Sequence, residues 1–250
     1  MRKEKDTLRD RSIIRPGYFS VQANADQMRP VYDHYNEQII YNRVPVDFVF
    51  MGESITQFWD LPTYFGGTRH SFVNRGISGD ITLHMARRFP ADVLQLKPKY
   101  VHIMGGTNNT WILDAVDPRE RKSPDQIYYE TVSDFSTMIR ESKNHGMIPM
   151  IGSNLPTGKG IPCFSSQPLL YCRDLSTDLR NELLFRINYG LRQLAAYEQA
   201  VYIDYHSYMT EHDGRTLRSE LSEDGLHPNV LGYNIMAGVF YNSLKTLGVE

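Results

Sequence analysis

The stretch "FVFMGESITQFWD", residues 48–60, decides how the chain is read. An apolar run of strand length stops abruptly at Gly52, Glu53 and Ser54, and a helix-compatible segment follows. Two roles fit Ser54 there. Serine is a favoured helix N-cap, and a serine at a strand-to-helix turn can equally be a presented nucleophile.

Working outward, four more runs share the character of the first: "SFVNRGI" (71–77), "YVHIMG" (100–105), "MIPMIGS" (147–153) and "AVYIDY" (200–205). They are short and mostly unalternating, the pattern of strands buried on both faces of a parallel sheet. Helix-period segments lie between them. One fits residues 82–95. Others carry Tyr128, Val132, Phe135 and Ile139, then Leu179, Leu183, Leu184, Ile187, Leu191 and Leu194. The last carries Leu231, Ile235, Met236, Val239 and Phe240, with Pro228 as its opening residue. Strands alternating with helices predict an α/β sandwich with right-handed crossovers. Residues 1–45 read as an N-terminal extension with a short helix over 28–41, packed on a core of residues 46–250. The whole is expected to be a single domain. The longest irregular insert, residues 157–176, is of a size that often forms a binding rim.

The bulk numbers bound the function classes. With 41% hydrophobic and 22% charged residues in a chain of 250, a sizeable core is expected. Lys plus Arg number 27 against 29 Asp plus Glu, so no positive field would draw nucleic acid. The segment "MRKEKDTLRDRSIIRPGYFS" lacks an apolar signal-peptide core, and no run approaches the roughly 18 apolar residues of a membrane span. The chain as given is therefore expected to be soluble and cytoplasmic, without stable membrane insertion. Cys163 and Cys172 read as two reduced thiols. No His, Cys and Asp grouping has metal-ligand spacing, so no metal is expected.

In open parallel sheets, ligands bind at the carboxyl ends of the strands. This sequence places "GES" (52–54), "NRGISGD" (74–80), "GGTNNTW" (105–111), "SNLP" (153–156) and "EDGLHPN" (223–229) at or beyond those ends. Acyl transfer needs an oxygen nucleophile with a base in reach, a group that orients the base, and donors for the oxyanion. Ser54 can be the nucleophile, His227 the base, and Asp224, three residues earlier, the orienting carboxylate. The backbone N–H groups of Ser54 and Gly79 and the side-chain amide of Asn108 can hold the oxyanion. Gly76 reads as a turn glycine. Asn108 can also cap the segment that follows it. Trp59 and Trp111 lie just past strand ends, where either core packing or lining of an acyl or sugar group would suit them.

These blocks resemble those of the SGNH (GDSL-type) esterases and acylhydrolases. "GESIT" is similar to the GDS(L/I) block, "NRGISGD" to the second block with its oxyanion glycine at Gly79, "GGTNN" to the G-x-N-D block with Asn108, and "DGLHPN" to the D-x-x-H-P block with Asp224 and His227. The resemblance runs from about residue 46 to about residue 240, with all four blocks in family order. It implies a flavodoxin-like three-layer α/β/α sandwich, a five-stranded parallel sheet in the order 2-1-3-4-5, and no cofactor. Two positions depart from the pattern: Glu53 stands where the family usually has aspartate, and Asn109 replaces a frequent aspartate. Some eukaryotic acetylhydrolases of the family that act on platelet-activating factor look similar at "GTNN".

The expected activity is a serine ester hydrolase that removes a short acyl group, acetyl foremost, from a polar alcohol such as a carbohydrate. The partner is then a small-molecule or glycan ester, and self-association into a homo-oligomer stays open. The preference for a short acyl group rests on the mostly polar insert, with only Phe164, Leu169, Leu170 and Tyr171 as large apolar residues. A lysophospholipase or platelet-activating-factor acetylhydrolase-like activity is the alternative within the enzyme class. A non-catalytic glycan- or lipid-binding module on the same scaffold is the alternative outside it.

Overall fold

A computed structural model describes residues 13–19, 23–115, 117–158 and 177–249. Five strands form one parallel sheet: β1 (Phe48–Gly52), β2 (Phe72–Gly76), β3 (Tyr100–Met104), β4 (Ile148–Gly152) and β5 (Val201–Ile203), in the spatial order β2-β1-β3-β4-β5. This is the expected order. Each strand is a residue or more shorter than its apolar run, because pairing stops where the chain turns away to the next helix.

The helices are α1 (Asn24–Asn42), α2 (Ser54–Gln57), α3 (Leu61–Phe65), α4 (Thr82–Asp92), α5 (Pro124–Asn144), α6 (Thr177–Glu198), α7 (His206–Met209) and α8 (Val230–Thr246). Local chemistry sets several of their ends. Ser123 and Gln126 form a reciprocal capping box at α5. The Asn229 side chain accepts from the Leu231 and Gly232 N–H groups and caps α8. Pro228 therefore precedes the cap instead of opening the helix, as the sequence had suggested. α4 has no side-chain cap of its own.

Side-chain alternation along the strands divides the core into two layers. Val49, Met51, Val101, Ile103 and Ile151 pack with residues of α4, α5 and α6. Phe48, Phe50, Tyr100 and Met150 pack with α8 and the short α2–α3 segment. His102, on the central strand, is fully buried and shares a 2.9 Å hydrogen bond with the Tyr205 hydroxyl. Burial pushes its imidazole down to about 3, so it is a neutral core residue.

A buried ionic network joins α1 and α4 to the carboxyl end of the sheet. Arg88 of α4 is wholly enclosed. Its Nε donates to Asp80 at 2.7 Å and its Nη1 to Asp92 at 2.8 Å. The same guanidinium donates to the carbonyls of Gly52 at 2.9 Å and Arg75 at 2.8 Å, the ends of β1 and β2. Asp92 also receives Arg29 of α1. Asn36 of α1 joins Ala91, Asp92 and Arg75. Burial alone would lower the Arg88 pKa, but Asp80 and Asp92 outweigh it and raise it. α1 is thus bonded to α4 and to the exit of β2, where the Tyr32 hydroxyl donates to the Gly76 carbonyl.

Removing one member of a buried pair leaves an uncompensated charge, which costs about 3–5 kcal/mol. Arg88→Ala should lower the urea-unfolding free energy by that order. A loss near zero would show that the network is replaceable.

Candidate active site

Glu53, not Ser54, occupies the N-cap position of α2, and Ser54 is the first helical residue. Its hydroxyl makes no capping bond and is left for the site. The short helix is held from two sides. The Tyr233 hydroxyl of α8 donates to the Ile55 carbonyl at 2.8 Å, and Asn74 donates to the carbonyls of Thr56 and Trp59 at 2.7 and 3.1 Å. Gly76 matters as a close approach: a Cβ there would lie 2.2 Å from the Gln57 backbone nitrogen. It ends β2 beneath α2, so the expectation of a turn glycine is corrected.

His227 and Asp224 arrive from the segment before α8, 173 residues beyond Ser54. His227 Nε2 lies 2.9 Å from Ser54 Oγ, and His227 Nδ1 lies 2.7 Å from Asp224 Oδ2. Because the carboxylate can only accept, Nδ1 carries the proton and Nε2 is the acceptor facing Ser54. The other oxygen of Asp224 accepts the backbone N–H groups of Leu226 and His227 at 2.8 and 2.7 Å and the Ser222 hydroxyl at 3.0 Å. Burial raises the Asp224 pKa, but the donors from His227 and Leu226 outweigh it and lower it overall. A hydroxyl, an imidazole and an ionised carboxylate in this chain can pass a proton from the hydroxyl oxygen to the imidazole.

Gly79 has φ of +74°, which an L side chain rarely adopts. Asn108 begins a 3₁₀ turn (Asn108–Asp114), and its Nδ2 donates to the Asp80 carbonyl at 2.9 Å. The second Nδ2 hydrogen has no acceptor among the described residues. The structure therefore brings Asn108 against the segment that holds Gly79. Asn24, the first residue of α1, packs on the same glycine, since a Cβ on Gly79 would meet its Nδ2 at 1.9 Å.

Glu53 reaches across the strand ends. Its two carboxylate oxygens accept the Thr107 N–H at 3.1 Å and the Asn108 N–H at 3.2 Å. The residue after the β1 strand thereby fixes the loop that carries Asn108. Asn109, 4% exposed, uses both ends of its amide. Its oxygen accepts the Thr82 N–H at the uncapped start of α4, and its nitrogen donates to the Thr82 and Thr131 hydroxyls. A carboxylate could not donate both of those bonds.

The Trp59 indole is a core ring, fully buried against Phe50, Phe65 and Tyr233, so the expectation that this ring lines an acyl or sugar group is corrected. The residue still borders a groove next to Phe58. Its neighbour Phe58 is the half-exposed ring, with its centroid 5.2 Å from that of His227. Trp111 has one face covered by the Arg180 guanidinium, 3.6 Å from the ring centroid. Cys163, Cys172 and the apolar residues of the insert, Phe164, Leu169, Leu170 and Tyr171, lie outside the described residues. Among the described residues, no group of three His, Cys, Asp or Glu side chains could hold a metal ion.

Burial raises Glu53 most strongly, against the donors of Asn108 and Thr107, and pushes its carboxyl from 4.5 up to about 7. A raised folded value means that the native state holds this proton after the unfolded chain has lost it. The associated stability is complete below about pH 4.5 and lost as pH rises through about 7, a change on the order of 3 kcal/mol. Urea unfolding from pH 4 to 8 should show this decline in the parent protein. Glu53→Gln should flatten it, and parallel curves for the two proteins would exclude Glu53 as its source.

Comparison with known proteins places the chain in a family. Residues 50–235 match the family described as GDSL-like Lipase/Acylhydrolase. An acetylxylan esterase from Geobacillus stearothermophilus is 25% identical over 178 residues, covering 71% of this chain and 72% of its own. The uncharacterized lipoprotein YqeF of Bacillus subtilis (strain 168) is 40% identical over 88 residues, 35% of this chain. The matched stretch spans only 34% of that lipoprotein's length. The solved structure of a GDSL-like lipase from Bacteroides thetaiotaomicron superposes with a TM-score of 0.66 at 22% identity, over 86% of this chain and 98% of that one. No described helix is long and apolar enough to cross a membrane. The chain belongs to the GDSL-like lipase/acylhydrolase family and is by class a carboxylic ester hydrolase.

Proposed function

We propose that Ser54, His227 and Asp224 form the catalytic triad of an esterase that removes acetyl groups from a carbohydrate. The observation that carries the triad is the continuous hydrogen-bonded path from Ser54 Oγ through His227 to Asp224. Ser54 Oγ attacks the ester carbonyl as His227 Nε2 takes its proton. Asp224 keeps Nδ1–H oriented and stabilises the imidazolium. The Ser54 and Gly79 N–H groups and the Asn108 amide hold the oxyanion of the tetrahedral intermediate. His227 then protonates the departing alcohol oxygen. Water, activated by the same imidazole, releases acetate from the acyl-enzyme.

The acetyl–carbohydrate substrate is supported by the acetylxylan esterase relative, which matches over 178 residues. It is tested by a series of p-nitrophenyl esters from acetyl to long acyl, in which kcat/KM should be greatest at acetyl. A maximum at long chains would select a lysophospholipase-like activity instead.

Ser54→Ala should abolish both ester hydrolysis and labelling by a fluorophosphonate probe. A folded parent protein that takes no label would point to a binding module without turnover. Asn108→Ala should reduce kcat roughly 10²- to 10³-fold with a smaller change in KM. Near-parental turnover in that variant would remove Asn108 from the oxyanion site.

A further inference from the structure

A groove that none of Ser54, Asp224 and His227 lines is joined to them by Phe58, whose ring lies 5.2 Å from that of His227. It encloses about 370 Å³ between α1 and the α2–α3 segment, within the size range of small-molecule sites. Phe58 and Tyr35 are its exposed rings, 54% and 48% accessible. Gln57, Asp60 and Asn74 add polar groups, and Arg75 lies at its buried side. Half-exposed aromatic rings flanking a polar-edged hollow are not accounted for by core packing.

We infer that this groove is the subsite for the sugar ring that bears the scissile acetyl ester, with α1 supplying one of its aromatic walls. The inference rests on the proposed esterase reading. The direction follows from the chemistry of departure. His227 delivers its proton to the leaving oxygen, so the alcohol must lie on the imidazole side of the ester. Phe58 is the ring against that imidazole, and it is also a wall of the groove. An alcohol seated at His227 is therefore led over Phe58 towards Tyr35.

The lining chemistry suits a sugar better than an acyl chain. The C–H face of a pyranose can lie on an aromatic face, while its hydroxyls need both donors and acceptors. Gln57 Oε1 is occupied by the Ser78 N–H and hydroxyl, which leaves its Nε2 hydrogens without a partner among the described residues. Asp60 Oδ2 accepts from Thr63, and Oδ1 has no donor among the described residues. Both groups can bond sugar hydroxyls, for which an alkyl chain has no counterpart. Tyr32 and Tyr35 belong to α1, ahead of residues 50–235 that match the family, so one wall of the groove is built by the N-terminal helix.

The test compares an acetylated methyl xyloside with vinyl acetate, which carries the same acyl group and no ring. Tyr35→Ala should lower the ratio of their kcat/KM values by about tenfold, the loss expected for one aromatic face. Tyr35→Phe should restore the ratio, because it keeps the face and removes only the hydroxyl. An unchanged ratio in Tyr35→Ala overturns the subsite. A second arm titrates xylo-oligosaccharide into Ser54→Ala protein by calorimetry, with and without Tyr35→Ala. Weaker binding in the double variant supports the groove; no binding, or equal binding, overturns it. If the parent protein hydrolyses neither acetyl ester, the esterase reading fails, and the calorimetric arm still decides the groove.

Discussion

Arg88 is the point on which the carboxyl end of the sheet depends. A guanidinium without water has to satisfy its donors inside the protein, and Arg88 does so on four chain segments at once. It meets the carbonyls that end β1 and β2, the carboxylate of Asp80 just after Gly79, and Asp92 one turn along its own helix. Ser54 follows the first of those strands and Gly79 follows the second. The chain exits that lead to Ser54 and Gly79 are thus tied together by a single cation, and Asp92 extends the same network to Arg29 and Asn36 of α1.

Asn108 is positioned by a different device. Glu53 binds the two backbone N–H groups at the start of the Asn108 turn, and Asn109 joins that turn to the start of α4. The longer side chain at position 53 therefore has a definite structural use. Its carboxyl ionises near neutral pH, because burial opposes the charge that the two N–H groups favour. The loop that bears Asn108 is consequently held by a group whose charge changes near neutral pH. Asp224 differs, being bound by enough donors, with partial access to water, to remain ionised.

The first helix links these devices to the surface. Its Asn24 touches Gly79, its Tyr32 binds the Gly76 carbonyl, and its Tyr35 stands across the groove from Phe58. One helix thus packs on α4 and the exit of β2, contributes to the buried ionic network and supplies a wall of the groove that Phe58 borders. Such a helix presents little apolar periodicity, since the side chains that it buries include Arg29 and Asn36.

The sequence by itself determined where the strands lie, because the inner strands β1 and β3 are buried along their whole length and are almost entirely apolar. Chain order and the short blocks at strand ends were enough to single out Ser54, Gly79, Asn108, Asp224 and His227. Asp224 and His227 lie in one turn, so their contact was legible locally. Other features needed the tertiary structure. Arg88 and Asp92 in "HMARRFPAD" resemble the solvent face of a helix, because periodicity records apolar positions and cannot register a charge whose partners come from other elements. Glu53 looked like a substitution of one acid for another until the Thr107–Asn108 turn was placed beside it. Trp59 and Phe58 are adjacent in the chain, and only packing decided which ring enters the core and which stands against His227. In each case the deciding partner lies far away in sequence, and its distance is fixed by the folded sheet alone.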